Sequence, residues 1–196
     1  MSSSEQKPVV VVNKVESAGR EIETAIWLWF NEGDTVSIHT LADAAWGVIL
    51  DIYHVRKWKW PIPFDNIPKG KGDNAPKKLM KKIREAGTYG KHARHDHHLD
   101  YEYNEIFIES YLASAVAAYG RLREPKRDGL LTLFSFWFAI RNPTLVEFLP
   151  VIPESLDVER IRQGSRTEYF REHGGYFVGN PPSPEAMRRD VGFHLP

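Results

Sequence analysis

Four of the chain's eight histidines fall in the stretch GKHARHDHHLDYEYNE, residues 90–105, at positions 92, 95, 97 and 98. Carboxylates at Asp96, Asp100, Glu102 and Glu105 are interleaved with them or follow closely. Imidazole changes charge near neutral pH and is the commonest protein metal ligand, so such a tract can move protons or hold a cation. On a helix, His92 with His95 would share one face, and Asp96 would add an oxygen donor. His92, His95 and Asp96 are therefore the candidate metal ligands, with a divalent ion as the cofactor of a minority reading. Against it, the chain has no H-E-x-x-H motif and no cysteine to complete a Cys/His zinc site. A reading without any cofactor gives His92 the acid/base role and uses Lys91 and Arg94 to meet negative charge. A third reading is a solvated polar lead-in to a helix, and it suits His95 to His98 best.

His39 stands apart from the tract. It lies beside Ile38 at the edge of an apolar helical stripe, and Asp43 follows one turn later, where it can orient an imidazole. The expected site is a polar cleft between helices, lined by His39, Lys91, His92 and Asp96. His92, Lys91 and His39 are its candidate catalytic groups, and Lys91, Arg94, Asp96 and Asp43 its candidate ligand contacts. His54 and His173 are expected at the surface, and Trp27, Trp29 and Trp46 in the core rather than on a base-stacking face.

These residues need helices to position them. Ile22, Ala25, Ile26, Trp29 and Phe30 recur at helical spacing and predict a first helix over 16–32. Gly33 suits its end, and Asp34 suits the cap of a second helix over 35–56. That helix has a stripe of Ile38, Leu41, Ala42, Ala45, Val48, Ile49 and Ile52. The link between the two is short enough to make them antiparallel neighbours. A Pro/Gly/Lys-rich loop follows, then a basic helix over 76–86 and a break at GTYG. A fourth helix is predicted over 100–122, with Ile106, Phe107, Ser110, Ala113, Ser114 and Ala117 inward. A fifth, over 129–141, is apolar on nearly every side, so it is either central or covered by a partner subunit. Asn142–Pro143 ends it.

The fold class is thus all-α: an orthogonal or antiparallel bundle of about five main helices over 1–150. An irregular Pro/Gly-rich extension, 151–196, packs on it, with short helical pieces at 153–163 and 184–190. PVVVV at residues 8–12 and GYFVG at 175–179 are the one candidate strand pair.

Composition narrows the function classes. The 196 residues carry 26 Lys+Arg against 26 Asp+Glu, which is not the excess of a strongly basic nucleic-acid binder. The absence of cysteine excludes disulfides, thiolate metal sites and a cysteine nucleophile. MSSSEQKP does not read as a signal peptide, and GLLTLFSFWFAI is too short to span a bilayer, so a cytoplasmic location without membrane partners is expected.

Two segments resemble a bacterial family of small helical proteins. AIWLWFNEGDTVSIHTLADAAWGVILDI, residues 25–52, is similar to that family's acidic turn followed by an IHTLA helix. TYGKHARHD, residues 88–96, is similar to its NFxKHAxxD motif through Lys91, His92, Ala93 and Asp96; Thr88 replaces the asparagine and Gly90 stands at a usual phenylalanine position. The similarity extends over 25–138 and implies a helical fold without naming a reaction. The layout also resembles, more distantly, HEPN-type bundles, some of which are dimeric endoribonucleases with an R-x₄₋₆-H motif. Arg166 and His173 have that spacing, but they lie in the predicted C-terminal extension and are not carried over as a catalytic pair.

Three functions follow as expectations. The first is a binding or regulatory module, expected as a homodimer, taking RNA or a small anionic ligand in the His/Lys cleft. The others are a HEPN-like metal-independent endoribonuclease and a His/Asp metal-dependent hydrolase. A Ser-His-Asp hydrolase is least favoured, because no G-x-S-x-G elbow occurs.

Overall fold

The structure is a computed structural model that describes residues 9–59, 85, 87, 89, 98, 100–122, 127–145, 156–178 and 192–193. Among these, helix α1 runs Lys14–Phe30 and α2 Thr35–Val55. Asn13 caps α1 by accepting from the amide of Glu16 at 2.9 Å, and Asp34 caps α2 by accepting from that of Ser37 at 2.7 Å. The α1 terminus differs from expectation. Glu32, not Gly33, takes the left-handed conformation (φ 52°), while the Gly33 amide donates to the Leu28 carbonyl at 2.8 Å. This is a Schellman closure, and a Cβ on Gly33 would lie 2.8 Å from the Leu28 side chain. The end of α2 repeats it: Lys57 has φ 53°, and the Trp58 amide donates to Tyr53 at 3.0 Å.

The predicted faces of α1 and α2 are largely inward. Ile22, Ala25, Ile26, Trp29 and Phe30 are buried, as are Ile38, Ala42, Ala45 and Ile49; Leu41, Val48 and Ile52 are partly buried. Trp29 and Trp46 are core residues. The basic helix expected over 76–86 lies outside the described residues except for residue 85, which is helical; the next helix described in full, Glu105–Gly120 (α3), starts later than 100 because Asn104 caps it, accepting from the Ile106 amide at 3.0 Å. Its inner face overlaps the expected one only in part: Ser110 and Ser114 are buried as expected, Ala113 is partly buried and Ala117 is exposed. Ile106 and Phe107 are exposed, while Ile108, Tyr111, Leu112, Ala115, Val116 and Tyr119 are buried. Helix α3 is apolar toward several neighbours, packing on α1, α2 and the following helix, so no narrow stripe marks its inner side. It comes close to α1, since a Cβ on Gly19 would lie 2.1 Å from Tyr119 Oη.

Helix α4, Gly129–Arg141, is central. Leu130, Leu133, Phe134, Phe136, Trp137 and Ile140 are all buried by the chain itself. Its apolar sides are covered by other helices of the same chain, so they are no argument for a partner subunit. After 156 the chain is more regular than expected, forming α5 at Val158–Gln163 and α6 at Arg166–Val178. Residues 175–178 are helical and Val9 to Val12 are exposed and unpaired in any sheet, so the expected strand pair does not form. The β structure described is a two-residue antiparallel pairing of β1 (Arg127–Asp128) with β2 (Gly192–Phe193).

Phe30 joins the layers. Its ring stacks on Phe170 of α6 at 5.2 Å and 13°, and meets Phe134 and Trp137 of α4 edge-on at 6.1 and 6.2 Å. Leu156, Ile161, Tyr169 and Phe170 thereby belong to the same hydrophobic cluster as α1 to α4. Among the described residues no helix is long and apolar enough to cross a membrane.

Candidate functional site around His39

His39, Asp43 and Trp46 lie at i, i+4 and i+7 on α2 and share one face. That face turns toward α3, whose Tyr111 sits among them. The His39 ring lies 5.3 Å from that of Tyr111, and Trp46 meets Tyr111 edge-on at 5.8 Å. The Tyr111 hydroxyl donates to Asp43 Oδ1 at 2.8 Å. His39 is 2% exposed, so it is a buried residue rather than the boundary residue its position suggests. The carboxylate one turn on is engaged by a tyrosine.

The segment before α3 closes the other side. Tyr103 meets His39 edge-on at 5.7 Å, Tyr101 meets Tyr103 at 5.1 Å, and Tyr89 stacks on Tyr101 at 5.3 Å and 28°. Ring contacts therefore run from Tyr89 through Tyr101, Tyr103, His39 and Tyr111 to Trp46. Burial pushes the Tyr101 and Tyr103 hydroxyls up from their ordinary range; the Glu85 charge adds to this at Tyr101, and the neighbouring Tyr101 and Tyr89 hydroxyls at Tyr103. Both phenols therefore stay protonated at neutral pH.

Gly87 completes the enclosure. A Cβ there would lie 2.4 Å from Asp43 Cγ, so its backbone is pressed against the carboxylate. Residues 87 and 89 are helical, where GTYG reads as a break. The close approach to α2 favours a helical glycine at a position its low propensity would argue against.

Of the sequence-predicted site residues, His39 and Asp43 come together on α2, beside the 85–89 segment. Lys91, His92, Arg94, His95 and Asp96 lie outside the described residues, so the metal set His92, His95 and Asp96 lies there too. Among the described residues no group of three or more His, Cys, Asp or Glu side chains could hold a metal ion. His98 and Asp100 are exposed, as a solvated lead-in requires. His54 is at the surface, but His173 is half-buried against Tyr169, with ring centroids 4.9 Å apart, and burial pushes its imidazole down. Arg166 and His173 line different clefts and form no pair.

No family model, curated protein or solved structure matches the chain. Its function is therefore argued from the site itself.

Sequence reasoning missed Tyr101, Tyr103, Tyr111 and Gly87. The Y-x-Y pair in DYEYNE was a usable signal, since aromatics just ahead of a capped helix tend to pack back on its neighbour. Tyr111 was hidden because the face expected for α3 overlaps its inner face only in part.

Proposed function

We propose that this chain is a helical-bundle binding module for a small anion, with a site built on the His39–Asp43–Tyr111 face and completed by Lys91, His92, Arg94 and Asp96. The supporting observation is the enclosure itself: a nearly inaccessible imidazole beside a carboxylate held by Tyr111, with the Gly87 backbone against that carboxylate. Burying polar groups costs stability, and a helical core keeps them where they position something. Lys91 follows Gly87 by four residues and Tyr89 by two, so the motif KHARHD continues directly from the segment that seals His39. At 2% exposure His39 serves as a buried positioning group in this reading, not as a base meeting substrate. The cation is Lys91, and His92 is the adjustable donor or acceptor. Self-association is not part of the proposal through α4, whose apolar sides are occupied.

Isothermal titration with inorganic phosphate tests it. Saturable binding by the wild type, weakened about tenfold or more in K91A and H92A, is expected, because each removes a charge-assisted contact. Absence of saturable binding contradicts it. Cleavage of labelled RNA in chelator, lost in H92A, would replace the binding reading with the endoribonuclease one.

A further inference from the structure

A second cleft, of about 640 Å³, opens beside the first turns of α3, and the site above does not use it. Trp29 and Glu32 come from the end of α1, Glu105 and Glu109 from the first turns of α3, Arg141 from the end of α4 and Arg166 from the start of α6. These four helix ends thus converge on a space the size of a small-molecule site.

Its charges are unequally committed. Arg141 is held by backbone, donating to the carbonyls of Arg162 and Gly164, with its guanidinium over the Trp137 ring. Arg166 is held differently. Its guanidinium carbon sits over the Trp29 ring, 4.1 Å from the centroid, and its side chain is 16% exposed. Its fork reaches Glu105 only at 3.4 and 3.5 Å, and its Nε is buried without a hydrogen-bond partner among the described residues. Well-made guanidinium–carboxylate pairs close to about 2.7–2.9 Å. Glu105 is 58% exposed, so it is a loosely held counter-ion on a rigidly held arginine.

The remaining acids set the ligand's other end. Glu32 accepts from the Thr167 hydroxyl at 3.2 Å, and Glu109 accepts from Trp137 Nε1 at 2.9 Å. Three carboxylates against two guanidiniums disfavour a phosphate dianion and favour one negative charge joined to one positive.

We propose that this cleft takes a free α-amino acid, its carboxylate replacing that of Glu105 on the Arg166 fork and its ammonium resting among Glu105, Glu32 and Glu109. The exchange conserves charge pairs: Arg166 trades a long two-pronged contact for a close one, and the displaced Glu105 gains the ammonium. The inference is independent of the reading given for His39.

Thermal unfolding and titration calorimetry of the full chain test it, with the common amino acids, acetate and methylamine as probes. At least one amino acid should raise the melting temperature and bind saturably, while the two fragments bind more weakly. E105Q decides the geometry, and its exposed position makes it safe for folding. It should weaken the amino acid about tenfold and tighten acetate, because it removes the ammonium's partner and the competitor for Arg166 together. R166M should abolish binding of both. Absence of binding by any amino acid, acetate binding as tightly as the amino acid, or an unchanged preference in E105Q each overturns the proposal.

Discussion

The Tyr111 hydroxyl donates to Asp43 Oδ1 at 2.8 Å, joining α3 to α2 directly beside the buried ring of His39. The bond spans 68 positions of sequence, so it forms only when the two helices are docked. Tyr111→Phe keeps the ring packing and removes the donor. It should cost about 1.5–3 kcal/mol, the range for a hydrogen bond to a charged group. Urea unfolding followed by tryptophan fluorescence measures it, and a midpoint equal to the wild type's would show that the bond contributes nothing.

Gly19 and Gly87 mark two close approaches. A Cβ would meet Tyr119 Oη at 2.1 Å in the first case and Asp43 Cγ at 2.4 Å in the second. In exposed helix interiors Gly→Ala ordinarily stabilises by up to about 1 kcal/mol. Here overpacking reverses the sign, and Gly19→Ala should destabilise by about 1–3 kcal/mol. Gly87→Ala should also displace the segment from Asp43, altering the His39 ring resonance by NMR. Stabilisation in both variants would contradict these contacts.

Burial in the second cleft pushes the Glu109 carboxyl above its ordinary 4.5, with the Trp137 hydrogen bond and the Arg141 and Arg166 charges pulling the other way. The native state therefore binds more protons than the unfolded chain between the two values. Stability from this group is complete below the unfolded value and is lost as pH rises through the folded one. Glu109→Gln cannot titrate. The stability of wild type relative to E109Q should thus be most favourable in acid and decline as pH climbs through that window. Urea midpoints across the acidic to neutral range give the comparison, and parallel curves would rule out the shift.

Phe170 ties the C-terminal helix to Phe30 by a 5.2 Å stack. Phe170→Ala should cost about 3–5 kcal/mol, as for other large core aromatics. Limited proteolysis should then cut near 156–178 while the earlier helices persist longer. Uniform digestion would mean that the whole bundle unfolds as one unit.

How far the fold was legible depended on how narrow each helix's apolar face is. Helices α1 and α2 are half-solvated, so their stripes and the Asp34 cap identify them. Helix α4 was equally plain in extent, but its uniform apolarity left open whether it was central or covered by a partner. Helix α3 is covered on several sides, so periodicity gave its presence but only part of its inner face, and Tyr111 was lost with the rest. Helix α6 was missed because Gly174 and Gly175 and the weak pattern of 166–178 read as loop, whereas Tyr169 and Phe170 anchor it from outside that pattern. At the site, spacing found His39 and Asp43. The tyrosine enclosure depends on contacts between residues far apart in sequence, which spacing does not encode.

The imidazole resonances of His39, followed by ¹H–¹⁵N NMR during titration with inorganic phosphate, test the central claim most directly. The account predicts that they move saturably with phosphate in the wild type and cease to move in K91A and H92A, because the proposed site joins that buried ring to those two side chains. His39 signals unaffected by phosphate, or responding identically in the variants, would contradict it.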